Sequence, residues 1–214
     1  LNNYSLSEIM RVLRPGGVVF FGNSNPRGSL SLKELNAFCL HVPYSEQLVI
    51  GDASGLWMML RKSPPEGIDE WPMWEHGPDN NPVSSDEVIR APYMTQWLGN
   101  PFYNTMPMIT TASGGRLFLA MGHIAHHERE EPWLNTLLAR NGYNGTVLWT
   151  LKLPDGYLVH RSAYVASPET FYMIDLDGAG CLMLDPETGE EQGRIEVPEV
   201  RGQWKWISMQ DGIL

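Results

Sequence analysis

Two stretches of the chain follow one pattern: Ala139-Arg-Asn-Gly-Tyr-Asn-Gly-Thr-Val-Leu-Trp149 and Met183-Leu-Asp-Pro-Glu-Thr-Gly-Glu-Glu-Gln-Gly193. When they are aligned, Gly145 matches Gly189, which lies 44 residues further along. Asn141 likewise matches Asp185, so both copies have a side-chain oxygen near the start of a turn and a glycine at its end. A repeat at this spacing indicates an array of similar supersecondary units.

A second landmark, a turn followed by a strand, supports the repeat. It occurs at residues 115–118, 169–172 and 211–214; the last two are 42 residues apart, whereas the first two are 54 apart, so about 12 residues are inserted there. Strands are predicted at residues 116–120, 146–149, 171–174 and 181–184. A period of about 40 to 50 residues with four short strands favours a propeller blade over a sandwich or barrel.

The repeated pattern resembles the blade motif A-x-D-x-x-T-G-x-x-x-W of the pyrroloquinoline-quinone (PQQ)-like propeller repeat family. The first copy keeps Ala139, Gly145 and Trp149, with asparagines for the Asp and the Thr. The second copy keeps the Asp, Thr and Gly but has Gly193 in place of the Trp. The resemblance implies structural roles, because the acid or amide holds a turn, the glycine takes positive φ and the tryptophan fills the space between blades.

The segment ahead of these copies resembles the opening of the same family's propellers. It comprises Trp74-Glu-His-Gly-Pro-Asp-Asn-Asn81, with Ile68-Asp-Glu-Trp71 before it and Trp97 after it. The arrangement is similar to that of large multidomain bacterial proteins of planctomycete type, in which a methyltransferase-like domain precedes such a propeller. The resemblance covers residues 68–214 and implies about two and a half blades. The chain is therefore expected to be a fragment that stops before the propeller closes.

The first 63 residues differ, because helices alternate with strands there. Helices are predicted at residues 7–13 and 31–41, the second with Ser31 as N-cap and Glu34 as its capping-box partner. The apolar run Val18-Val-Phe-Phe21 predicts a strand buried on both faces. Residues 48–50 and 56–60 predict a hairpin around a turn at 51–55. This order indicates an α/β sheet with an antiparallel edge, followed by the proline-rich linker.

Leu6-Ser-Glu-Ile-Met-Arg-Val-Leu-Arg-Pro-Gly-Gly-Val-Val-Phe-Phe21 resembles the late helix, L-[KR]-P-G-G turn and fifth strand of class I S-adenosylmethionine (SAM) methyltransferases. The helix and hairpin that follow match the end of that fold, where the last strand is antiparallel. The glycine-rich loop and ribose-binding acid of that family come earlier in the fold, and these 214 residues contain neither. SAM is thus implied only for the full-length protein, and this chain alone is expected to hold no cofactor.

Composition narrows the classes of partner. A formal net charge of -10 argues against nucleic acid, which is bound by clustered Lys and Arg. Cys39 and Cys181 are isolated thiols, so the sequence indicates neither a zinc knuckle nor a redox pair. No run of about 18 apolar residues occurs, and no membrane span is predicted. The expected partner is a protein or carbohydrate ligand of the propeller.

Three groups of residues are candidate sites. His123, His126 and His127, with acidic residues close behind, could hold a divalent metal. The alternative for these histidines is a solvated loop. Asp175, Asp177 and Gly178 resemble the start of a calcium loop, but the later ligands are missing, so a β-turn is predicted instead. His76 and Asp79 are predicted to close the opening turn; no catalytic residue is assigned.

The predicted fold class is an α/β fragment of Rossmann-like methyltransferase type followed by an all-β, incomplete PQQ-like propeller. Its parts are residues 1–63, a linker at 64–70 and blades at 71–214. The leading hypothesis is a SAM-dependent methyltransferase-like domain fused to a scaffold or binding propeller. The alternatives are a non-enzymatic binding propeller with a vestigial α/β domain and, third, a quinoprotein oxidoreductase, although PQQ itself is not expected. An active methyltransferase implies a cytoplasmic protein, and a dominant propeller implies a periplasmic or exported one.

Overall fold

A computed structural model describes residues 5–24, 30–52, 55–102, 105, 107–157, 163–198 and 202–214. In this part the chain is mostly β, with three antiparallel sheets. It divides into two compact units, Leu1–Ile68 and Asp69–Leu214. The coarse prediction of a β-rich chain is confirmed, while the methyltransferase-like and propeller assignments of the two units stay predictions.

The elements of the first unit are α1 Leu6–Val12, β1 Val18–Asn23, α2 Leu32–Cys39, β2 Tyr44–Asp52 and β3 Gly55–Lys62. The strands of the second unit are β4 Pro107–Ser113, β5 Arg116–Met121, β6 Thr136–Asn141, β7 Val147–Lys152, β8 Tyr164–Ala166, β9 Phe171–Ile174, β10 Cys181–Leu184 and β11 Glu191–Ile195. A 3-10 helix, Glu128–Trp133, lies between β5 and β6.

The first unit packs its two helices against one face of a three-stranded sheet. α2 starts as predicted, because the Ser31 hydroxyl accepts from the Glu34 N–H at 3.3 Å and the Glu34 carboxylate accepts from the Ser31 N–H at 2.7 Å. The buried core comes from α1, α2 and β3: Leu6, Met10, Leu35, Cys39, Met58 and Leu60. Val19 and Phe21 of β1 pack against it, since alternate residues of a strand share a face.

One prediction for this sheet is wrong. β1 is not buried on both faces: Val18 is 39% and Phe20 is 57% exposed, because the helices contribute side chains only to the opposite face. The sheet order is β1-β3-β2, and β3 pairs antiparallel with both neighbours, so the sheet has the predicted antiparallel edge at β2. The predicted hairpin of β2 and β3 does form, and residues 53–54 of its turn lie outside the described residues.

The second unit contains two four-stranded sheets of identical plan. Their orders are β4-β5-β6-β7 and β8-β9-β10-β11, each strand pairing antiparallel with the next one along the chain. The strands predicted at 171–174 and 181–184 are confirmed without change, and those at 116–120 and 146–149 are confirmed with small shifts. Each copy of the repeated pattern forms the hairpin of the third and fourth strands.

The third landmark forms its turn but not its strand. Gln210 and Ile213 exchange two backbone hydrogen bonds of 2.9 Å across Asp211 and Gly212. No strand follows within residues 202–214, because these backbone groups pair across their own turn and not along a neighbouring strand. The described residues of this unit therefore form two sheets, and the further half blade stays a prediction.

An aromatic cluster joins the two sheets of the second unit. The rings of Phe118 in β5 and Phe171 in β9 are stacked with centroids 4.4 Å apart. Trp149 of β7 lies 6.0 Å from the first ring and 6.1 Å from the second. Both phenylalanines are fully buried within one continuous core. Equivalent second strands of the two sheets thus meet through the same residue type, as a repeat requires.

Candidate functional site

The tryptophan of the first repeat copy contacts the turn of the second. The Trp149 Nε1–H donates to the Pro186 carbonyl at 3.1 Å. The indole also covers Gly189, where a Cβ would lie 2.7 Å from Trp149 Cδ2. Gly189 has φ of 76°, so the glycine is needed both for its backbone conformation and for the close approach.

Trp97 makes the same contact one unit earlier. Its Nε1–H donates to the Gly142 carbonyl at 2.7 Å, and its ring covers Gly145, where a Cβ would lie 2.3 Å from Trp97 Cε3. Gly142 matches Pro186 and Gly145 matches Gly189 in the repeat, so the two contacts are equivalent. Arg140, almost fully buried, lies 5.2 Å from the Trp97 ring and donates to the Asn100 carbonyl at 2.7 Å.

The turns under these tryptophans use the predicted oxygen. Asn141 Oδ1 accepts from two N–H groups of its turn, at 2.9 and 3.3 Å. Asp185 Oδ1 accepts from the Glu187 and Thr188 N–H groups at 2.7 and 2.9 Å. These hydrogen bonds lower the pKa of Asp185. The repeated pattern therefore acts structurally, as its residues predicted.

His76 and Asp79, both predicted to close the opening turn, contact different groups of that segment. Its Nε2 lies 2.8 Å from Asp69 Oδ2, whereas Asp79 Oδ1 accepts from the Asn81 N–H. The Ser84 hydroxyl donates to the same Asp69 oxygen at 2.9 Å. Asp69 Oδ2 therefore contacts both side chains and links them within the opening segment.

Asp69 should make the second unit sensitive to acid. Burial alone would raise its pKa, but hydrogen bonds from Ser85 N–H, Ser84 Oγ and Glu70 N–H outweigh that effect and lower the pKa to about 2. A depressed pKa adds stability above the unfolded value of 3.8, and that stability is lost as pH falls toward 2. We expect the unfolding free energy of the wild type to fall by about 2 kcal/mol more than that of Asp69→Asn between pH 5 and pH 2. Urea unfolding at each pH measures the free energy of unfolding of both proteins. An equal pH dependence of this free energy in the wild type and in Asp69→Asn would contradict the prediction.

The segment from Glu70 to Met73 joins the first strands of both sheets. Trp71 exchanges two backbone hydrogen bonds with Ala112 of β4, at 2.7 and 2.9 Å. The Pro72 carbonyl accepts from the Ala166 N–H of β8 at 2.7 Å, and Met73 is buried in the core. The Glu70 carboxylate accepts from Ser113 Oγ at 2.6 Å and from the Gly114 N–H at 2.7 Å. Parts of the β4 and β8 edges are therefore covered by this chain itself.

The three candidate metal ligands, His123, His126 and His127, lie in the connection between β5 and β6, and all three are exposed. Glu130 is buried and accepts from the His126 N–H at 2.8 Å, which lowers the pKa of its carboxyl. Within the residues that the structure describes, no set of three His, Cys, Asp or Glu side chains is placed to hold a metal ion. The metal site at these histidines stays a prediction.

The β-turn prediction for Asp175–Gly180 is confirmed. The Gly178 N–H donates to the Asp175 carbonyl at 2.8 Å, and the Asp175 N–H donates to the Gly180 carbonyl at 2.8 Å. Asp177 Oδ1 accepts from the Ala179 N–H at 2.8 Å. The side chains therefore hold the turn that connects β9 to β10.

A cavity of about 300 Å³ lies beside this turn. Four separate stretches of the second unit line it: Pro154–Tyr157 after β7, Ala163 before β8, Ile174–Gly178 after β9, and Gln203 with Trp204. The backbone N–H of Trp204 donates to the Gly178 carbonyl at 2.8 Å, which fixes the last stretch against the turn. The Tyr157 hydroxyl donates to the Ile174 carbonyl, and burial raises the pKa of this tyrosine, so its hydroxyl stays protonated. Sequence reasoning missed this site, because its residues are far apart in the chain.

The carboxylates of the cavity differ in their partners. Asp175 is 5% exposed and forms an ion pair with Arg194 of β11, so its charge is compensated. Asp155 accepts from Asn135 Nδ2 at 2.7 Å, and Asp177 accepts from the Ala179 N–H of the turn at 2.8 Å. Neither Asp155 nor Asp177 has a cationic partner among the described residues. Within the described residues, the cavity thus combines two carboxylates that lack a cationic partner with the aromatic side chains of Tyr157 and Trp204.

Comparison with known proteins adds little to this fold. No family model matches the chain, and no curated protein matches it. Among solved structures, the crystal structure of BamB from Moraxella catarrhalis is similar over 41% of this chain and 23% of that chain, with 16% identity and a TM-score of 0.30. The match therefore spans under a quarter of that protein, and a TM-score of 0.30 does not establish a common fold. In the described residues, no helix is both long enough and apolar enough to cross a membrane.

Proposed function

We propose that the second unit is part of a β-propeller of PQQ-like type that acts as a non-catalytic binding or scaffolding module for a protein partner. One observation carries the proposal: two successive four-stranded sheets of identical plan, with equivalent Trp–Gly contacts at Trp97–Gly145 and Trp149–Gly189. Stacked sheets of this kind provide a rigid frame, and the loops at their ends are free to vary and bind. The cavity beside the Asp175–Gly180 turn lies at such an end.

The chemistry of the two cofactors suggested by resemblance fits these residues poorly. A quinone of the PQQ class needs Arg and acidic side chains that converge on it. Here Trp71 and Pro72 pair with β4 and β8, and Met73 is buried beside them. For SAM, the first unit contains no glycine-rich loop, although its last strand is antiparallel as that resemblance implies. A binding role therefore has more support than catalysis in this chain.

The proposal predicts peptide binding in preference to cofactor binding. We expect the chain to retain a subset of 15-residue peptides from an immobilised array, with dissociation constants on the order of micromolar. SAM, or PQQ with calcium, at 1 mM should leave the melting temperature unchanged, because a ligand stabilises only the state that binds it. A chain that retained no peptide and melted higher with either cofactor would contradict the proposal.

A further inference from the structure

The side chains that line the cavity beside the Asp175–Gly180 turn indicate which chemical group it binds. We infer that it binds a cationic side chain, lysine or arginine, presented by a protein partner. This inference rests on the proposed binding role and names the group that is recognised. It starts from the cavity and its aromatic walls, Tyr157 and Trp204, to which Asp155 and Asp177 add charge.

Charge complementarity identifies the occupant. Arg194 neutralises Asp175, so Asp155 and Asp177 are the carboxylates that remain to attract a cation. One oxygen of each already accepts a hydrogen bond from the protein, at 2.7 and 2.8 Å, which fixes the carboxylates before any ligand arrives. Acceptors held in place in this way lose little conformational freedom on binding.

The aromatic and apolar walls suit the stem of a long cationic side chain. Lysine and arginine bury their methylene groups against apolar surface while their charge seeks acceptors or an aromatic face. Ala163, Ile174 and Leu176 supply apolar surface beside Tyr157 and Trp204. A cavity of about 300 Å³ is large enough for one such side chain. A metal ion would make no use of these walls.

The test uses the full 214-residue chain and three peptides, Ac-GGKGG-NH2, Ac-GGRGG-NH2 and the same peptide with neutral norleucine at the centre. Binding is followed by the chemical shifts of the tryptophan indole N–H groups at 150 mM salt. We expect the lysine and arginine peptides to bind about tenfold more tightly than the norleucine peptide, because only they pair with the carboxylates. The indole signal of Trp204, assigned by a Trp204→Phe variant, should move most.

Matched variants separate this site from the general negative charge of the protein. Asp177→Asn and Asp155→Asn keep an oxygen for the hydrogen bonds from Ala179 and Asn135 but remove the charge. Each substitution should weaken binding of the lysine peptide about fivefold. Asp211→Asn, which neutralises an exposed carboxylate of the Gln210–Ile213 turn that is not among the residues lining the cavity, should leave binding unchanged.

Four outcomes would overturn the inference. They are equal binding of the norleucine peptide, an equal loss in Asp211→Asn, displacement of the lysine peptide by 1 mM calcium, and movement of the Trp204 signal by a neutral oligosaccharide but not by the lysine peptide. The binding-module proposal is tested separately by the array. Peptides retained there without basic residues, at unchanged affinity in Asp177→Asn, would keep that proposal and reject this one.

Discussion

Truncation of Phe171 to alanine is expected to lower the unfolding free energy of the second unit by about 4 kcal/mol. The ring is fully buried, stacks on Phe118 at 4.4 Å and lies 6.1 Å from Trp149, so its loss leaves a void at the junction of the two sheets. Guanidinium unfolding followed by far-ultraviolet circular dichroism measures the change. Phe171→Leu should cost only about 1.5 kcal/mol, since it keeps most of the volume.

The control for this substitution is a phenylalanine outside the core. Phe102 is 68% exposed, and Phe102→Ala should change stability by less than about 0.5 kcal/mol. Phe118→Ala combined with Phe171→Ala should cost less than the sum of the two single variants, because each removes the same contact. Additive costs would mean that the two sheets do not meet through these rings.

Gly189→Ala is expected to cost about 3 kcal/mol, with two separable causes. A residue with φ of 76° is strained once it carries a Cβ, which accounts for about 1 kcal/mol. The new methyl would also lie 2.7 Å from Trp149 Cδ2, so the indole must move away from Gly189 and from the Pro186 carbonyl. Chemical denaturation combined with tryptophan emission reports both the stability and the position of the ring.

Gly156→Ala isolates the first cause from the second. Gly156 has φ of 81°, and a Cβ there would meet nothing within 4 Å. We expect this variant to lose only about 1 kcal/mol. A cost equal to that of Gly189→Ala would show that the Trp149 contact adds nothing to stability.

The local features of this fold were predictable from the sequence, because neighbouring residues determine them. The Asn141 and Asp185 turns use side-chain oxygens within three residues, and the Ser31–Glu34 capping box spans four. The resemblance to the PQQ-like blade motif implied that Trp149 lies between successive blades, and the contact of its indole with Gly189 fits that role. Trp97 was noted only as part of the opening segment, because no preceding blade motif marked it as the equivalent of Trp149.

The features that were missed depend on distant partners. The contact between His76 and Asp69 was not predicted, because the two side chains meet only once the segment turns back. The exposure of Phe20 could not be read from an apolar run, since the run does not say how many faces are covered. The cavity was missed for the same reason, because four stretches between Pro154 and Trp204 form it.

The segment from Trp71 to Met73 sets an order of assembly. Its backbone hydrogen bonds reach Ala112 in the first sheet and Ala166 in the second. During synthesis the first partner emerges some forty residues later and the second more than ninety, so the closing step involves a long loop and a high loss of chain entropy. The Trp71–Met73 segment therefore remains without its β8 partner until the second sheet has been synthesised. Because of this delay, strand edges are more exposed to incorrect pairing in the partly folded second unit than in the fully folded one.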